Sequence, residues 1–247
     1  MFFGQQGEDV YILKNFVNKP TDTGRFVEVG ALDGVTYSNT LFFEGALGFT
    51  GVLIEPSKHF ERLVCSRPNC TLVNKAISDA YGTVVFRDDW AMSGILDKLP
   101  ESHTSKNFHG NGDCYDVETV MLGPLLKESN MDYVDLMFID VEGGELEVLK
   151  SMDWTIPVYV ICIELDGHNS HKDDKCREIL RKQGFELDTR ISINEFWVNK
   201  GYFRKDLLFD EKSQEINWAA CSSLGDIGQF MCLEPHLVEE VHRVILG

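Results

Sequence analysis

An α/β fold on a mostly parallel sheet, with helices on both faces and one antiparallel strand from a C-terminal hairpin, follows from three features of the 247-residue sequence. Apolar runs of strand length at 51–54, 134–139 (apart from Asp135) and 158–163 each lead into a carboxylate, at Glu55, Asp140 and Glu164. Segments of helical periodicity separate these runs, as successive strand-helix-strand units require. Two further strand-like segments, Phe185 to Arg190 and Glu195 to Asn199, close the pattern as a hairpin. Ligands of such sheets bind beyond the carboxyl ends of the strands, so Glu28, Glu55, Asp140 and Glu164 are expected on one edge.

The elements follow in order. From Gln6 to Asn18 the residues Val10, Leu13 and Val17 share a helical face, with Glu8 and Asp9 in the first turn, where they complement the helix dipole. Phe26 to Thr40 reads as a buried strand, a glycine turn and a helix start. A second strand ends at Glu55, a helix runs from His59 to Val64, and strands cover Thr71 to Lys75 and, after the turn at Tyr81-Gly82, Thr83 to Phe86. Residues Arg87 to Val117 are rich in Gly, Ser, Asn, Asp and His, which predicts a long loop, either a lid or an irregular insertion.

A helix near Pro124 to Ser129 precedes the core strand Val134 to Asp140. Leu146, Leu149 and Met152 mark the buried stripe of the next helix, and Val158 to Glu164 is another core strand. Lys172 to Gln183 carries Cys176, Ile179 and Leu180 at helical spacing and stops at Gly184. Leu237, Val241, Val244 and Ile245 mark a terminal amphipathic helix introduced by Pro235. The whole chain, 1–247, reads as a single domain with its core at about 5–200 and a C-terminal extension over 201–247.

The turn after the first strand carries the cofactor signal. Gly30 and Gly34 can take backbone angles closed to other residues, and Thr36, Ser38 or Asn39 can cap the following helix. The pattern is Glu-x-Gly-x-x-x-Gly, not the dinucleotide fingerprint G-x-G-x-x-G, and Glu28 suits a ligand bearing an ammonium group better than one bearing a pyrophosphate. Glu55 lies near the interval of about 20 residues expected for an acid that accepts ribose hydroxyls. Together the two acids point to S-adenosylmethionine rather than NAD.

Composition narrows the partners. A formal charge of −17 argues against binding nucleic acid through its phosphates and favours a neutral acceptor. Seven cysteines without a C-x-x-C pair suit reduced thiols in a cytoplasmic setting. The N-terminus has no basic region followed by an apolar stretch, and no segment approaches the roughly 18 apolar residues of a membrane span, which argues against secretion and membrane insertion. Oligomeric state is left open.

Several motifs in one order resemble the FkbM family of S-adenosylmethionine-dependent methyltransferases. They are Gln6-Gly-Glu-Asp9, Phe26-Val-Glu-Val-Gly-x-x-Asp-Gly34, Tyr37-Ser-Asn-Thr40, Ile54-Glu-Pro56, Ala76-Ile-Ser-Asp79, Ser93-Gly94, Ile139-Asp-Val-Glu-Gly-Gly-Glu145 and Asn194-Glu-Phe-Trp-Val198, spanning about residues 5 to 200. The resemblance implies a class I methyltransferase fold, Rossmann-like, and methylation of hydroxyl oxygens, often on sugars of glycans or on natural products. It places Glu28, Gly30, Asp33, Ser38 and Asn39 around the methionine moiety, Glu55 on the ribose and Ser78 or Asp79 near adenine. Leu165 to His171 and the chain beyond Gly201 match no general family pattern and are candidates for acceptor specificity.

Methyl transfer from a sulfonium needs an aligned acceptor oxygen and a base for its proton. Asp140, at the end of a central strand, is the first candidate beside the reaction centre and can hold donor or acceptor; otherwise it caps the turn into the next helix. Glu142 and Glu145, in a first helical turn, are favoured there by the dipole whatever their role. Glu164 or His168 can take the proton, although a lone loop histidine is ordinarily a surface residue. Asp166, His168, His171, Asp173 and Asp174 could ligate a divalent metal, but their spacing matches no established metal motif and solvated acids explain the run more simply. Phe196 and Trp197 alternate across a strand, so core packing is expected of at least one, and any aromatic facing the cleft, Tyr37 and Trp90 included, can stack on a sugar ring. A nicotinamide-dependent oxidoreductase on a similar sheet and a non-catalytic cofactor-binding module are the competing functions.

Overall fold

The computed structural model describes residues 2–101 and 112–208. The chain runs through α1 (Glu8–Asn15), β1 (Arg25–Val29), α2 (Leu41–Leu47), β2 (Thr50–Ile54), α3 (Phe60–Ser66), β3 (Thr71–Val73), β4 (Ala76–Ile77) and β5 (Gly82–Asp88). After a 3-10 turn at Trp90–Met92 come β6 (Gly94–Ile95), β7 (Asp113–Val120), α4 (Leu122–Glu128), β8 (Val134–Ile139) and α5 (Glu145–Ser151). Strand β9 (Val158–Glu164), helix α6 (Ser170–Lys182) and the hairpin β10 (Phe185–Ile191) with β11 (Asn194–Asn199) follow. The terminal helix expected at Leu237 to Ile245 lies outside the described residues.

Seven strands form one sheet in the order β10-β11-β9-β8-β1-β2-β3, with β11 antiparallel to both neighbours and the other strand pairs parallel. This is the class I methyltransferase architecture. Alternation along each strand divides the apolar residues between two cores. Phe26, Leu136, Phe138 and Phe196 join α1, α2 and Leu63 of α3 on one face, while Val27, Val29, Met137, Ile139 and Trp197 join α4, α5 and α6 on the other. Burial of a side chain of this size contributes roughly 1.5–3 kcal/mol. Phe196 and Trp197 are therefore packing residues of opposite cores, not cleft aromatics. Their alternation carries one to each face, and both faces are covered by helices.

Residues 87–117 differ from the expected loop. Strand β5 continues to Asp88 and pairs antiparallel with β7 from Gly82↔Thr119 to Asp88↔Asp113, and β4 and β6 complete a four-stranded second sheet. Its core is small, with Ala76, Phe86 and Ile95 packed against Val84, Tyr115 and Val117. One face of β7 is solvated, so its sequence is mostly polar; the alternation of Tyr115 and Val117 between Cys114, Asp116 and Glu118 is the strand signal. Residues 102–111, where a lid would fall, lie outside the described residues.

Strand register sets the level of the site. Ile54 and Ile139 both pair with Val29, and Ile163 pairs with Ile139, so Gly30, Glu55, Asp140 and Glu164 emerge together at the carboxyl edge. Glu28 sits one step inside that edge, on the face covered by α1 and α2. Among the described residues no helix is long and apolar enough to cross a membrane. Cys65, Cys70, Cys114, Cys162 and Cys176 are free thiols.

Candidate functional site

A cavity of about 330 Å³ opens along the carboxyl edge. Glu28, Gly30, Ser38, Asn39, Glu55, Asp140, Glu142, Glu164 and His168 all line it. Asp33, Ser78 and Asp79 do not. Asp33 instead holds its own turn, accepting hydrogen bonds from the Val35 and Thr36 amides at 3.0 and 2.7 Å and from the Thr36 hydroxyl at 3.0 Å. Ser78 is pinned by a backbone bond to Val120, Asp79 is exposed, and Lys75, Ala76 and Ile77 just before them line the cavity.

The loop between β1 and α2 is built around buried charge. The Glu28 carboxylate, 3% exposed, accepts bonds from the Asn39 amide (2.7 Å), the Thr40 hydroxyl (2.6 Å) and the Ser38 hydroxyl (3.2 Å). Arg67 of the α3 C-terminus, fully buried, donates to Gly34 O, Ser38 Oγ and Thr40 Oγ1 at 3.0–3.1 Å and pairs with Glu44. Burial raises the Glu28 pKa, and the Arg67 guanidinium partly opposes it. Ser38 Oγ accepts from the Thr40 and Leu41 amides at the entry to α2, whose N-cap position is Thr40. Gly30 has φ +93°, and a Cβ there would stand 1.9 Å from the Asp140 carbonyl oxygen, so strand packing itself demands glycine. Arg67 was not singled out from the sequence, because nothing local marks an arginine after α3 as buried.

Glu55 is 5% exposed and accepts one amide on each oxygen, from Leu32 and Ser57, both at 2.7 Å. Each oxygen keeps acceptor capacity toward the cavity. Apolar walls stand beside it, from Ile54, Ile77, Phe86 and Ile95.

At the other end Asp140, Glu142 and Glu164 bring carboxylate oxygens within 4.8 Å of one another. Asp140 does not cap α5. Its amide bonds Val29 O, while the Gly143 amide is held by Glu145 at 2.9 Å. Burial pushes the Glu142 carboxyl up to about 8, helped by the Asp140 and Glu145 charges. Burial and the adjacent Asp140 raise Glu164 further, so that it holds a proton shared by hydrogen bond with Asp140. The trio is arranged to gain from a cation, whether a metal ion or a positively charged ligand. Glu145 lies outside the cavity and pairs with the buried Lys172, tying this loop to α6.

The run from Asp166 to Asp174 does not converge. Asp166 accepts from the His168 amide (2.9 Å) and contacts its Nδ1 at 2.7 Å, Asp173 accepts from the Gly167 amide, Asp174 pairs with Arg177, and His171 is exposed. Asp166 and His168 remain at the cavity wall. Tyr37 and Trp90, 41% and 42% exposed, also line it, and each has a left-handed backbone, with φ 58° and 57°. Two buried amide oxygens on lining residues, Gln6 Oε1 and Asn39 Oδ1, have no hydrogen-bond partner among the described residues.

The methyltransferase FkbM domain family matches residues 28–187. Solved structures similar to the chain include a fibrillarin/Nop5p complex (16% identity, 78% of this chain and 79% of that one, TM-score 0.39). Another is the human methyltransferase 10 domain containing protein (12% identity, 77% and 78%, TM-score 0.33). Curated proteins gave no match. The family match spans well over half of the chain and includes the glycine turn and the Asp140 loop, and the chain belongs to the FkbM methyltransferases.

Proposed function

We propose that the protein is an O-methyltransferase that uses S-adenosylmethionine to methylate a hydroxyl of a sugar or glycan. One observation supports this reading: a single cavity joins Glu55 and its apolar walls to the Asp140, Glu142 and Glu164 carboxyls, with His168 also on its wall. The residues fit the donor. Glu55 is placed to accept ribose hydroxyls, Ile77, Phe86 and Ile95 offer apolar surface to a purine, and the carboxylates complement a sulfonium and an ammonium. S-adenosylmethionine, when bound, supplies an electrophilic methyl group.

The chain's part is alignment and proton removal. Asp140, steadied by the Glu164 proton, accepts a hydrogen bond from a neighbouring hydroxyl of the acceptor and so orients the reacting one. His168, oriented by Asp166, takes the proton as the carbon–oxygen bond forms, and its half-exposed ring passes it to solvent. Glu142, with its raised pKa, stays largely protonated at neutral pH and donates to an acceptor oxygen. Six carboxyl groups line the cavity with one lysine, Lys75, and even with Glu142 and Glu164 protonated the acids outnumber it, which supports an uncharged acceptor over a phosphorylated one. The exposed rings of Tyr37 and Trp90 offer stacking surface for a sugar.

Incubation with methyl-labelled S-adenosylmethionine and a panel of free sugars, nucleotide sugars and oligosaccharides tests the reading. Label transfer to a neutral saccharide supports it. Donor binding without transfer to any glycan, lipid or small molecule favours a non-catalytic module, and a thermal shift with NAD but not S-adenosylhomocysteine favours an oxidoreductase. The carboxylate trio favours a second reading, in which a divalent cation binds the acceptor hydroxyls. Loss of turnover with chelator and its recovery with magnesium or manganese would select that version.

A further inference from the structure

Lys172 stands where a lysine is least favoured. It lies in the first turn of α6, three residues after the Asn169 cap, where a cation opposes the helix dipole, and it is buried, where a cation loses its water. Burial works against its charge, yet the Glu145, Asp173 and Asp166 carboxylates keep its pKa above the ordinary lysine value. Its ammonium pairs with Glu145 and lies 3.5 Å from Asp173, and both acids are buried. Each carboxylate in turn holds a glycine amide. Glu145 accepts from Gly143 at 2.9 Å and Asp173 from Gly167 at 3.0 Å. A continuous run from Gly143 through Glu145, Lys172 and Asp173 to Gly167 therefore joins the turn between β8 and α5 to the loop between β9 and α6.

Those two segments carry the groups assigned to the acceptor. Glu142 and Gly144 flank Gly143, Asp166 and His168 flank Gly167, and all four line the cavity. Glu142 is held in a left-handed backbone, φ 54°, which persists only where its surroundings impose it. Against burial, the Lys172 charge favours the ionised form of both Glu142 and Asp166, so it is felt in both segments. Stability alone gives no reason for the arrangement, because apolar side chains of matching size often replace a buried ion pair without loss. The charged run supplies what apolar packing does not, a directional link between two loops.

We propose that Lys172 is a positioning residue, which fixes the Glu142 turn and the Asp166–His168 loop at one separation so that the acceptor meets the Glu142 carboxyl and the His168 base together. This rests on the methyltransferase reading above and adds a residue behind the cavity wall on which acceptor geometry depends.

Hydrogen exchange of the full chain, followed amide by amide by NMR, tests it first. In Lys172→Met the Gly143 and Gly167 amides are expected to exchange on the order of tenfold faster, while the Leu32 and Ser57 amides that bond Glu55 keep their rates. Glu145→Gln retains an acceptor for Gly143 and should still speed exchange at Gly167, which it does not touch; this variant decides the matter if Lys172→Met fails to fold. With a saccharide that takes label in the panel above, Lys172→Met should lower kcat at least on the order of tenfold while S-adenosylhomocysteine affinity, by calorimetry, stays within about twofold. Lys172→Arg keeps the charge and should recover most of the lost turnover. Faster exchange at only one glycine or at neither, an equal rise at Leu32 and Ser57, or an unchanged kcat overturns the inference and leaves the methyltransferase reading standing. A parent protein that labels no acceptor overturns that reading and the part of Lys172 in turnover, whereas the exchange rates still decide whether it couples the loops.

Discussion

Replacing Arg67 with methionine tests the view that one buried guanidinium organises the donor loop. The side chain is fully buried, donates to Gly34 O, Ser38 Oγ and Thr40 Oγ1, and pairs with Glu44. Methionine keeps most of the volume but strands these acceptors and removes the positive charge facing Glu28. Breaking a buried pair by deleting one partner costs about 3–5 kcal/mol. In a domain whose total stability is about 5–15 kcal/mol, that lowers the melting temperature on the order of 10 °C.

The pH dependence adds a second constraint. Burial already raises the Glu28 pKa from 4.5, and losing Arg67 raises it further. A raised carboxyl in the folded state means that stability falls as pH climbs above the unfolded value. The cost of R67M should therefore be smaller at pH 4 than at pH 8. Urea unfolding at both pH values, with comparable m-values, measures it. A loss below about 1 kcal/mol, or a loss independent of pH, would refute the role assigned to Arg67.

Four further outcomes are expected. Glu55→Gln places an amide donor against the Leu32 or Ser57 amide and should weaken S-adenosylhomocysteine at least on the order of tenfold by calorimetry; unchanged affinity would detach Glu55 from the ribose. Asp140→Asn and His168→Gln should each lower kcat by about a hundredfold while donor affinity changes by only a few-fold, and a residue whose loss leaves kcat intact drops out of the mechanism. Glu142 titrates at about 8 when folded against 4.5 otherwise, so its contribution to stability declines as pH rises between those values. Glu142→Gln should accordingly match the parent at pH 4 and exceed it on the order of 2–4 kcal/mol at pH 9, as read by chemical denaturation. Finally, a neutral saccharide should turn over faster than its phosphorylated or uronic-acid counterpart, a preference that added salt diminishes; equal rates would remove the charge argument.

The parallel sheet, its antiparallel partner strand and the level of Glu55, Asp140 and Glu164 were legible from sequence, because runs such as 158–163 are apolar on both faces and end abruptly in an acid. The second sheet was not, since β7 is solvated on one side and its polar residues outnumber the Tyr115 and Val117 that face its small core. Asp33 and Asp79 show a different limit. An acid in a glycine turn reads as a ligand-binding residue, yet whether it faces the cavity depends on which neighbouring amides it meets first, as Val35 and Thr36 do for Asp33.

Local pattern determined what is periodic and contiguous: the strands, the helices, the Glu-x-Gly turn and the family to which they belong. Tertiary structure alone decided which distant groups share a boundary. Asn39 lies against Gly4 of the N-terminal segment, Asn194 of β11 reaches Glu8 of α1, and Arg67 at the end of α3 bonds the Ser38 and Thr40 hydroxyls that also hold Glu28. Hydrogen bonds and charge pairs act over a few ångströms in space whatever the separation along the chain, so the partners of a buried polar group are fixed only once the sheet and its helices have closed around it.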